Sequence, residues 1–281
     1  MAEPDLTGQE PEQEQQPGQE QRRSSRRGFL KVGRAAVVGG AAVFGGAAVF
    51  GATRLGGSPA QAADEAGADR SATAGRSATS ATADTSGTTT LRKLNGLPDR
   101  PASLASATLI MVDYQNTYTQ GVMELTGWRQ ALDAAAELLG AARAAGGKVI
   151  HVVNDGGKGT PYDIRRPIGR IHDRVRPVKG ERTVVKKAPN AFVNTELGRL
   201  VDQAGNENLV IAGFMTHMCV TFTAEGAFLR GNRPTVVADA CATRPLPSVA
   251  GGLSATQIHE SALATIADLY GVVVRSHSAL R

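Results

Sequence analysis

Cysteine and aromatic residues are scarce in this chain, which has two Cys, one Trp and only 4% Phe, Trp and Tyr among its 281 residues. Two cysteines can form one disulfide at most, so a scaffold held together by several disulfides is excluded. An acidic excess is also absent, because 31 Lys and Arg outnumber 26 Asp and Glu. The resulting net charge of +5 draws attention to the basic segments.

One basic segment extends from Lys158 to Lys187 and contributes part of this positive charge. Its arginines include Arg165, Arg166, Arg170, Arg174 and Arg176. Few aromatic residues are interleaved with them and no nucleic-acid-binding motif is present, so we do not expect a nucleic-acid partner. A solvated surface and a cationic rim that attracts an acidic substrate both stay open as interpretations.

The N-terminal segment has the pattern of an export signal. The pair Arg26-Arg27 precedes Gly-Phe-Leu-Lys as in twin-arginine signals, and the stretch from Ala35 to Thr53 carries no charge. That stretch is rich in Gly and Ala and only weakly apolar, which favours a signal, although an uncleaved anchor stays an alternative. Small residues at Ala60-Gln61-Ala62 predict cleavage before Ala63.

We therefore expect the twin-arginine export machinery to be a partner of this chain. The mature protein would be extracellular or in the cell envelope, and periplasmic where a second membrane is present. After cleavage of the signal we expect no membrane attachment. We also expect the mature protein to form a homo-oligomer.

Composition divides the chain into three parts. Residues 1–62 form the signal region. Residues 63–95 consist mostly of Ala, Ser, Thr, Gly and Asp without an aromatic residue, and we predict a disordered linker because such a segment buries too little apolar surface to order the chain. Residues 96–281 have the size of one domain with a substantial core.

Within this domain, strand-like apolar runs alternate with helical patterns. We predict six strands, at Thr108–Val112, Lys148–Val153, Thr183–Val185, Asn208–Gly213, Thr235–Ala238 and Gly271–Arg275. The clearest helices are Arg129–Ala145 and Ser254–Tyr270. Alternation of this kind predicts an α/β fold with a doubly wound, mostly parallel sheet.

Cys219 is the first candidate functional residue. It follows the apolar strand Asn208–Gly213 and precedes a helical pattern at Thr221–Arg230, which predicts a position in the first turn of a helix. Unpaired amides and the helix dipole favour a thiolate there and can also hold an oxyanion. A plainly buried, unreactive thiol is the alternative.

Asp113 and Lys186 complete a set of reactive side chains at strand ends. Asp113 follows the strand Thr108–Val112 directly, and Lys186 follows Thr183–Val185. Because ligands bind at the carboxyl ends of parallel strands, we expect both side chains to lie near Cys219. Taken alone, Asp113 could simply begin a turn, and the Lys186-Lys187 pair could be solvated.

Four segments in this order resemble the signatures of the isochorismatase-like cysteine hydrolases: Asp113-x-Gln115, Lys186-x-x-Pro189-Asn190-Ala191-Phe192, Gly213–Val220 and Asp239–Arg244. The resemblance covers residues 96–281. It implies a three-layer α/β/α sandwich around a six-stranded sheet and a catalytic triad of Cys219, Asp113 and Lys186. Lys186 is chosen over Lys187 because the lysine of this family stands four residues before the Ser or Asn that precedes Ala-Phe.

The resemblance also implies a reaction. Asp113 would accept the proton of Cys219, and Lys186 would keep Asp113 ionised. The thiolate would attack a carbonyl and form a thioester, with the oxyanion held by the amides of Thr216 and Cys219 and a cis peptide bond between Met215 and Thr216. We expect a cysteine hydrolase that cleaves an amide, carbamoyl or ureido C–N bond of a small molecule.

We assign Gln115, Tyr118, Phe192 and His217 to the substrate pocket. The nicotinamidases, which have a similar fold, bind a metal through an Asp-x-His pair, but here the second strand leads into His151-Val152-Val153-Asn154-Asp155. We therefore expect no metal and no cofactor. Two other functions stay open, a vinyl ether hydrolase of the isochorismatase type and a catalytically silent secreted binding protein.

Overall fold

Six parallel strands form the central sheet in the computed structural model of the protein, which describes residues 84–280. Its six strands are β1 (Ala107–Val112), β2 (Lys148–Asn154), β3 (Arg182–Lys186), β4 (Asn208–Gly213), β5 (Arg233–Val237) and β8 (Val272–Val274). Two further strands, β6 (Leu246–Ser248) and β7 (Gly251–Leu253), form a separate antiparallel hairpin between β5 and β8 in the chain. The order across the sheet is β3-β2-β1-β4-β5-β8. All six predicted strands are present, so the predicted parallel sheet is confirmed.

In the described part of the chain, five α-helices accompany the sheet, namely α1 (Leu91–Leu94), α2 (Trp128–Ala144), α3 (Leu197–Ala204), α4 (Thr221–Leu229) and α5 (Ala255–Thr265). α2 buries one stripe of residues three or four positions apart, which are Ala131, Leu132, Ala135, Leu138, Leu139 and Ala142. β1 is buried along its whole length, as expected for a central strand of a parallel sheet that helices cover. The predicted doubly wound α/β class is therefore confirmed.

The predicted helix Ser254–Tyr270 is divided into two parts. Ser254 and Gln257 form a capping box that begins α5, and α5 ends at Thr265. A π-helical turn follows at Ile266–Tyr270, and the amide of Gly271 closes it by donating to the carbonyl of Ile266 at 2.9 Å. The helical pattern is continuous in sequence, so it does not reveal the change in hydrogen bonding.

Gly213 lets the two central strands end side by side. It pairs with Val112, the last residue of β1. A Cβ atom at position 213 would lie 2.1 Å from the Val112 carbonyl oxygen, so no other residue type fits there without a backbone shift. The chain segments that begin at Asp113 and Phe214 consequently leave the sheet at the same edge.

Part of the predicted linker belongs to the folded domain. α1 lies within residues 63–95, and its Arg92 is buried and donates hydrogen bonds to the carbonyls of Pro98 and Leu269. The amide of Leu91 donates to Asp268. The ordered structure therefore begins before residue 96, and a helix of four residues is too short to give a periodic signal in the sequence.

The predicted export signal and residues 63–83 of the predicted linker lie outside the described residues. Within residues 84–280, no helix is long and apolar enough to cross a membrane.

Candidate active site

Cys219, Asp113 and Lys186 meet at the carboxyl edge of the sheet. Asp113 follows β1, Lys186 is the last residue of β3, and Cys219 lies in a turn between β4 and α4. Lys186 Nζ is 2.8 Å from Asp113 Oδ2 and 3.3 Å from Cys219 Sγ. Exposure is 0% for Asp113, 1% for Lys186 and 6% for Cys219, so the cluster is shielded from water.

The backbone at Asp113 turns sharply out of the strand. Its φ angle is 53°, in the left-handed region that Asp tolerates better than most residues. The amide of Asp113 still donates to the carbonyl of Val152 in β2 at 2.9 Å, and its carbonyl accepts from the amide of Gln115 at 2.7 Å. Asp113 Oδ1 accepts no hydrogen bond from residues 84–280, which leaves it free to take a proton.

Only one of the two neighbouring lysines reaches this cluster. Strand alternation turns Lys186 toward Asp113 and leaves Lys187 exposed. The loop that follows is held on α4, because the amide of Ala191 donates to Thr223 Oγ1 at 3.2 Å. A Cβ atom at Gly226 would lie 2.5 Å from the side chain of Asn190, so this glycine allows the close contact between loop and helix.

Cys219 lies in a π-helical turn, Thr216–Val220, that precedes α4 rather than in the first turn of the helix itself. The amide of Val220 donates to the carbonyl of Met215 at 3.2 Å. Thr221 Oγ1 donates to the carbonyl of Thr216 at 2.7 Å. We call Thr216–Val220 the nucleophile turn.

The prediction that the Thr216 amide holds the oxyanion is wrong. That amide already donates to the carbonyl of Ala242 at 3.0 Å, in a short bridge between the segments after β4 and β5. For the amide of Met215, no acceptor is found among residues 84–280. The non-proline cis peptide bond joins Phe214 and Met215, not Met215 and Thr216 as expected.

Burial controls the ionisation of the cluster. It raises the pKa of the Cys219 thiol to about 12, and the Asp113 carboxylate adds to this shift while Lys186 opposes it. Burial also raises the pKa of Asp113, against the opposing charge of Lys186. Burial alone would lower the pKa of Lys186, but Asp113 and Cys219 raise it. At neutral pH Cys219 is therefore a thiol next to an ammonium group, not the thiolate that its position alone favours.

Gln115 does not line a pocket, contrary to our prediction. Its side chain is fully buried, and its Nε2 donates to the carbonyls of Asn154 and Gly169 at 2.9 and 2.6 Å. Its Oε1 accepts from the amide of Asn154 at 2.9 Å. Gln115 therefore joins the end of β2 to the following loop, and no polar atom remains for a substrate.

Tyr118, which we predict to line the substrate pocket, lies beside the triad. It is buried, and burial raises its pKa well above the ordinary value, with Asp113 and Cys219 as further causes. Its ring contacts that of Tyr162 edge to face, with 5.7 Å between the centroids. The sequence offered no reason to prefer Tyr162 over other aromatic residues, because it lies in a long loop rather than at a strand end.

His217 and Phe192 differ in their surroundings. His217 Nδ1 is 2.5 Å from Thr243 Oγ1. Burial lowers the pKa of His217, and the positive charge of Arg244 lowers it further. The ring of Phe192 is covered by the Arg230 guanidinium, 5.3 Å from the centroid, at the end of α4 opposite Cys219. The ring contact recorded for Phe192 is therefore with Arg230, and its place in the substrate pocket stays a prediction.

Arg244 lies close to His217 and Tyr162, and the sequence analysis gave it no role. Its Nε is buried and has no hydrogen-bond partner among residues 84–280. Its charge acts on both His217 and Tyr162, and the phenol of Tyr162 in turn interacts with Asp113 and Cys219. Position 244 lies in the fourth motif, but nothing in the motif shows which way the side chain points.

Within residues 84–280, no group of three or more His, Cys, Asp or Glu side chains is arranged to hold a metal ion. His151, at the place where a metal-binding pattern would begin, has its Nε2 2.8 Å from Glu181 Oε2. Glu181 also pairs with Arg143 Nε at 2.8 Å. His151 therefore belongs to a structural cluster in which its partner is a carboxylate.

Known proteins resemble this chain in sequence and in fold. The isochorismatase domain model matches residues 107–278. A secreted isochorismatase effector of Verticillium dahliae is 31% identical over 67% of this chain and 97% of its own length. A maleamate amidohydrolase of Pseudomonas putida is 29% identical over 62% of this chain and 84% of its own length. The crystal structure of an isochorismatase from Pseudomonas putida superposes with a TM-score of 0.66 and 38% identity, covering 68% of this chain and 98% of that chain.

Proposed function

The chain belongs to the isochorismatase family of hydrolases, and from this premise we propose that it cleaves a C–N bond of a small amide, carbamoyl or ureido compound through a thioester on Cys219. One observation carries the proposal. Lys186 Nζ contacts both Asp113 at 2.8 Å and Cys219 at 3.3 Å inside a buried cluster. A base, a cation and a thiol in mutual contact are what nucleophilic attack by cysteine requires.

Attack begins from the neutral thiol. Cys219 Sγ forms a bond to the substrate carbonyl carbon while its proton passes to Asp113, whose Oδ1 is free to accept it. The carbonyl electron pair moves onto the oxygen. Lys186 stays charged throughout and stabilises the negative charge that the sulfur and the carboxylate share.

The oxyanion needs donors that are not already engaged. The amide of Met215 meets this condition, and together with the amide of Cys219 it would hold the oxygen of the tetrahedral intermediate. Asp113 then returns the proton to the leaving nitrogen, the C–N bond breaks, and an acyl thioester remains. Water attacks the thioester, which releases the acid and restores the thiol of Cys219.

We propose an anionic substrate, on the basis of Arg244 Nε, which has no hydrogen-bond partner among residues 84–280. A buried guanidinium nitrogen without a partner is costly, and a carboxylate can satisfy it with charge-assisted hydrogen bonds. The maleamate amidohydrolase relative is named for a substrate that carries both an amide and a carboxylate. The substrate proposed here therefore combines a scissile amide or ureide with a nearby carboxylate.

Ammonia release tests this function. Purified protein is incubated with half-amides of dicarboxylic acids, ureido acids and the methyl ester of each compound, with the Cys219→Ala variant as the control. We expect turnover of at least one acid, with weaker turnover of its ester. Release of ammonia by Cys219→Ala at the wild-type rate would contradict the mechanism, and equal rates for acid and ester would contradict the role of Arg244.

We further propose that the domain works outside the cytoplasm after twin-arginine export. The paired arginines and the uncharged Gly- and Ala-rich stretch support this proposal, as does the name of the secreted Verticillium relative.

A further inference from the structure

We propose that His259 is a positioning residue for the reaction and that it acts through Thr216 on the nucleophile turn. His259 lies in α5, 40 positions along the chain from Cys219 by their numbers, and its Nδ1 is 2.9 Å from Thr216 Oγ1. The inference rests on the proposed role of Cys219. It assigns to α5 a part in the reaction that neither the motifs nor the triad geometry suggests.

Thr216 is one of the residues that attach the turn to the rest of the domain, together with His217, whose Nδ1 contacts Thr243 Oγ1. It is fully buried, and each of its three polar groups has a partner. Its amide donates to the carbonyl of Ala242, its carbonyl accepts from Thr221 Oγ1, and its hydroxyl contacts His259. The first two contacts tie the turn to the segment after β5 and to α4. Among these three contacts, the one with His259 is the hydrogen bond that joins the turn to α5.

His259 is suited to this role because its side chain lies outside the hydrophobic core. The ring is half-buried in the wall of a cavity of about 580 Å³, next to Leu263 and the exposed Glu260. Burial lowers its pKa, and Glu260 raises it only in part, so the ring is neutral at pH 7. A neutral imidazole forms one directional hydrogen bond with the hydroxyl at Nδ1. Replacing the ring therefore removes a contact to the turn without removing a core side chain.

The consequence for Cys219 follows from the short distances in the site. Sγ must stay 3.3 Å from Lys186 Nζ for the ammonium to favour the thiolate. A displacement of about 1 Å at a reacting group costs about a hundredfold in rate. Loss of one of three contacts at Thr216 is a smaller disturbance, and we expect about a tenfold loss in the reactivity of Cys219.

Alkylation by iodoacetamide measures this reactivity without a substrate. The full chain is treated at fixed pH, and the labelled cysteine is identified by peptide mass spectrometry. The variants are His259→Leu, Thr216→Val, their double mutant and His259→Asn, in which the amide can occupy the position of Nδ1. Glu260→Gln is the matched control, since Glu260 neighbours His259 in the helix and lines the same cavity. Melting temperatures show which variants are folded.

We expect alkylation of Cys219 to be about tenfold slower than wild type in both His259→Leu and Thr216→Val. The double mutant should be no slower than either single variant, because the two side chains form one contact. His259→Asn and Glu260→Gln should stay within about twofold of wild type. With a substrate from the ammonia screen, kcat should fall in His259→Leu and KM should stay nearly constant. Should His259→Leu fail to fold, the comparison of Thr216→Val with Thr216→Ser decides the question, with Ser retaining the hydroxyl.

Wild-type alkylation rates in folded His259→Leu and Thr216→Val, or additive losses in the double mutant, would overturn the positioning role. Those outcomes leave the proposed function intact if Cys219→Ala is inactive. Turnover by Cys219→Ala would instead remove the proposed function, and the inference about His259 with it.

Discussion

Lys186 Nζ lies 2.8 Å from Asp113 Oδ2, and both side chains are almost completely buried. A buried pair of this kind rarely stabilises a protein more than apolar residues of the same size would. Breaking it by removal of one partner is costly, because the other charge is left without compensation. The presence of this buried pair is therefore better explained by a role in a reaction than by a contribution to stability. The contact of Lys186 with Cys219 indicates where the proposed reaction would occur.

Cys219→Ala should abolish turnover and leave the fold intact, because the change removes the nucleophile and only a small volume. Cys241 is the matched control, since it is also buried and its thiol donates to the carbonyl of Val237 at 3.2 Å. Cys241→Ala should keep its activity and lose about 1 kcal/mol of stability. If the Cys219→Ala enzyme keeps wild-type rates, vinyl ether hydrolysis of the isochorismatase type becomes the better hypothesis.

Lys186→Ala and Asp113→Asn should each lower kcat by about a thousandfold or more, because members of a proton-transfer unit fail together. The double mutant should be no worse than the poorer single mutant. Lys187→Ala provides the control, since Lys187 is exposed one position further along the chain. Steady-state kinetics of the four variants checks the assignment, and the opposite ranking of the two lysines would contradict it.

The alkylation rate of Cys219 should rise with pH over the whole range from about pH 7 to about pH 10. Its pKa is raised to about 12, so the thiolate fraction grows about tenfold for each pH unit below that value. Rates of Cys219 alkylation by iodoacetamide, measured across this pH range, test the prediction. A plateau that begins below about pH 8 would show a resting thiolate instead, as in enzymes with a lowered cysteine pKa.

Glu181 should make the stability of the domain sensitive to acid. Burial alone would raise its pKa, but Arg143, the Val178 amide and His151 lower it from 4.5 to about 2. Because the pKa of Glu181 is depressed in the folded state, its ionised carboxylate stabilises the folded domain. This stabilisation is complete above pH 4.5 and is lost as the pH falls toward about 2. Burial lowers the pKa of His151 from 6.5, which adds to the loss on acidification.

Thermal unfolding of wild type and Glu181→Gln tests this cluster. Near neutral pH the variant should melt at a lower temperature, and the difference should shrink on acidification through the window below pH 4.5. A difference that is independent of pH would show that Glu181 contributes through packing and not through its charge.

Arg26→Lys combined with Arg27→Lys should keep the protein inside the cell. The twin-arginine receptor reads the paired guanidinium groups, and lysine does not reproduce their planar geometry. Fractionation of cells that express the double mutant measures the effect, with Arg22→Lys combined with Arg23→Lys as a control in the same polar leader. Export of the first mutant at wild-type levels would contradict the proposed route.

Local sequence determined the strands and the candidate triad. The apolar run at Asn208–Gly213 predicts β4 with its exact ends, because a strand buried on both faces must be apolar throughout. Asp113 and Lys186 were predicted to lie near Cys219 because parallel strands bring their carboxyl ends to one edge. Motif spacing then separated Lys186 from Lys187. Each of these inferences depends on residues that are close together in the chain.

The remaining features of the site depend on contacts between distant parts of the chain. Whether the Thr216 amide is free depends on the carbonyl of Ala242, and whether Gln115 faces a pocket depends on Asn154 and Gly169. The protonation of Cys219 depends on burial by the whole domain. Hydrogen-bond partners and desolvation are properties of the packed tertiary structure, so only that structure decided which amides, which aromatic rings and which histidine lie around the nucleophile turn.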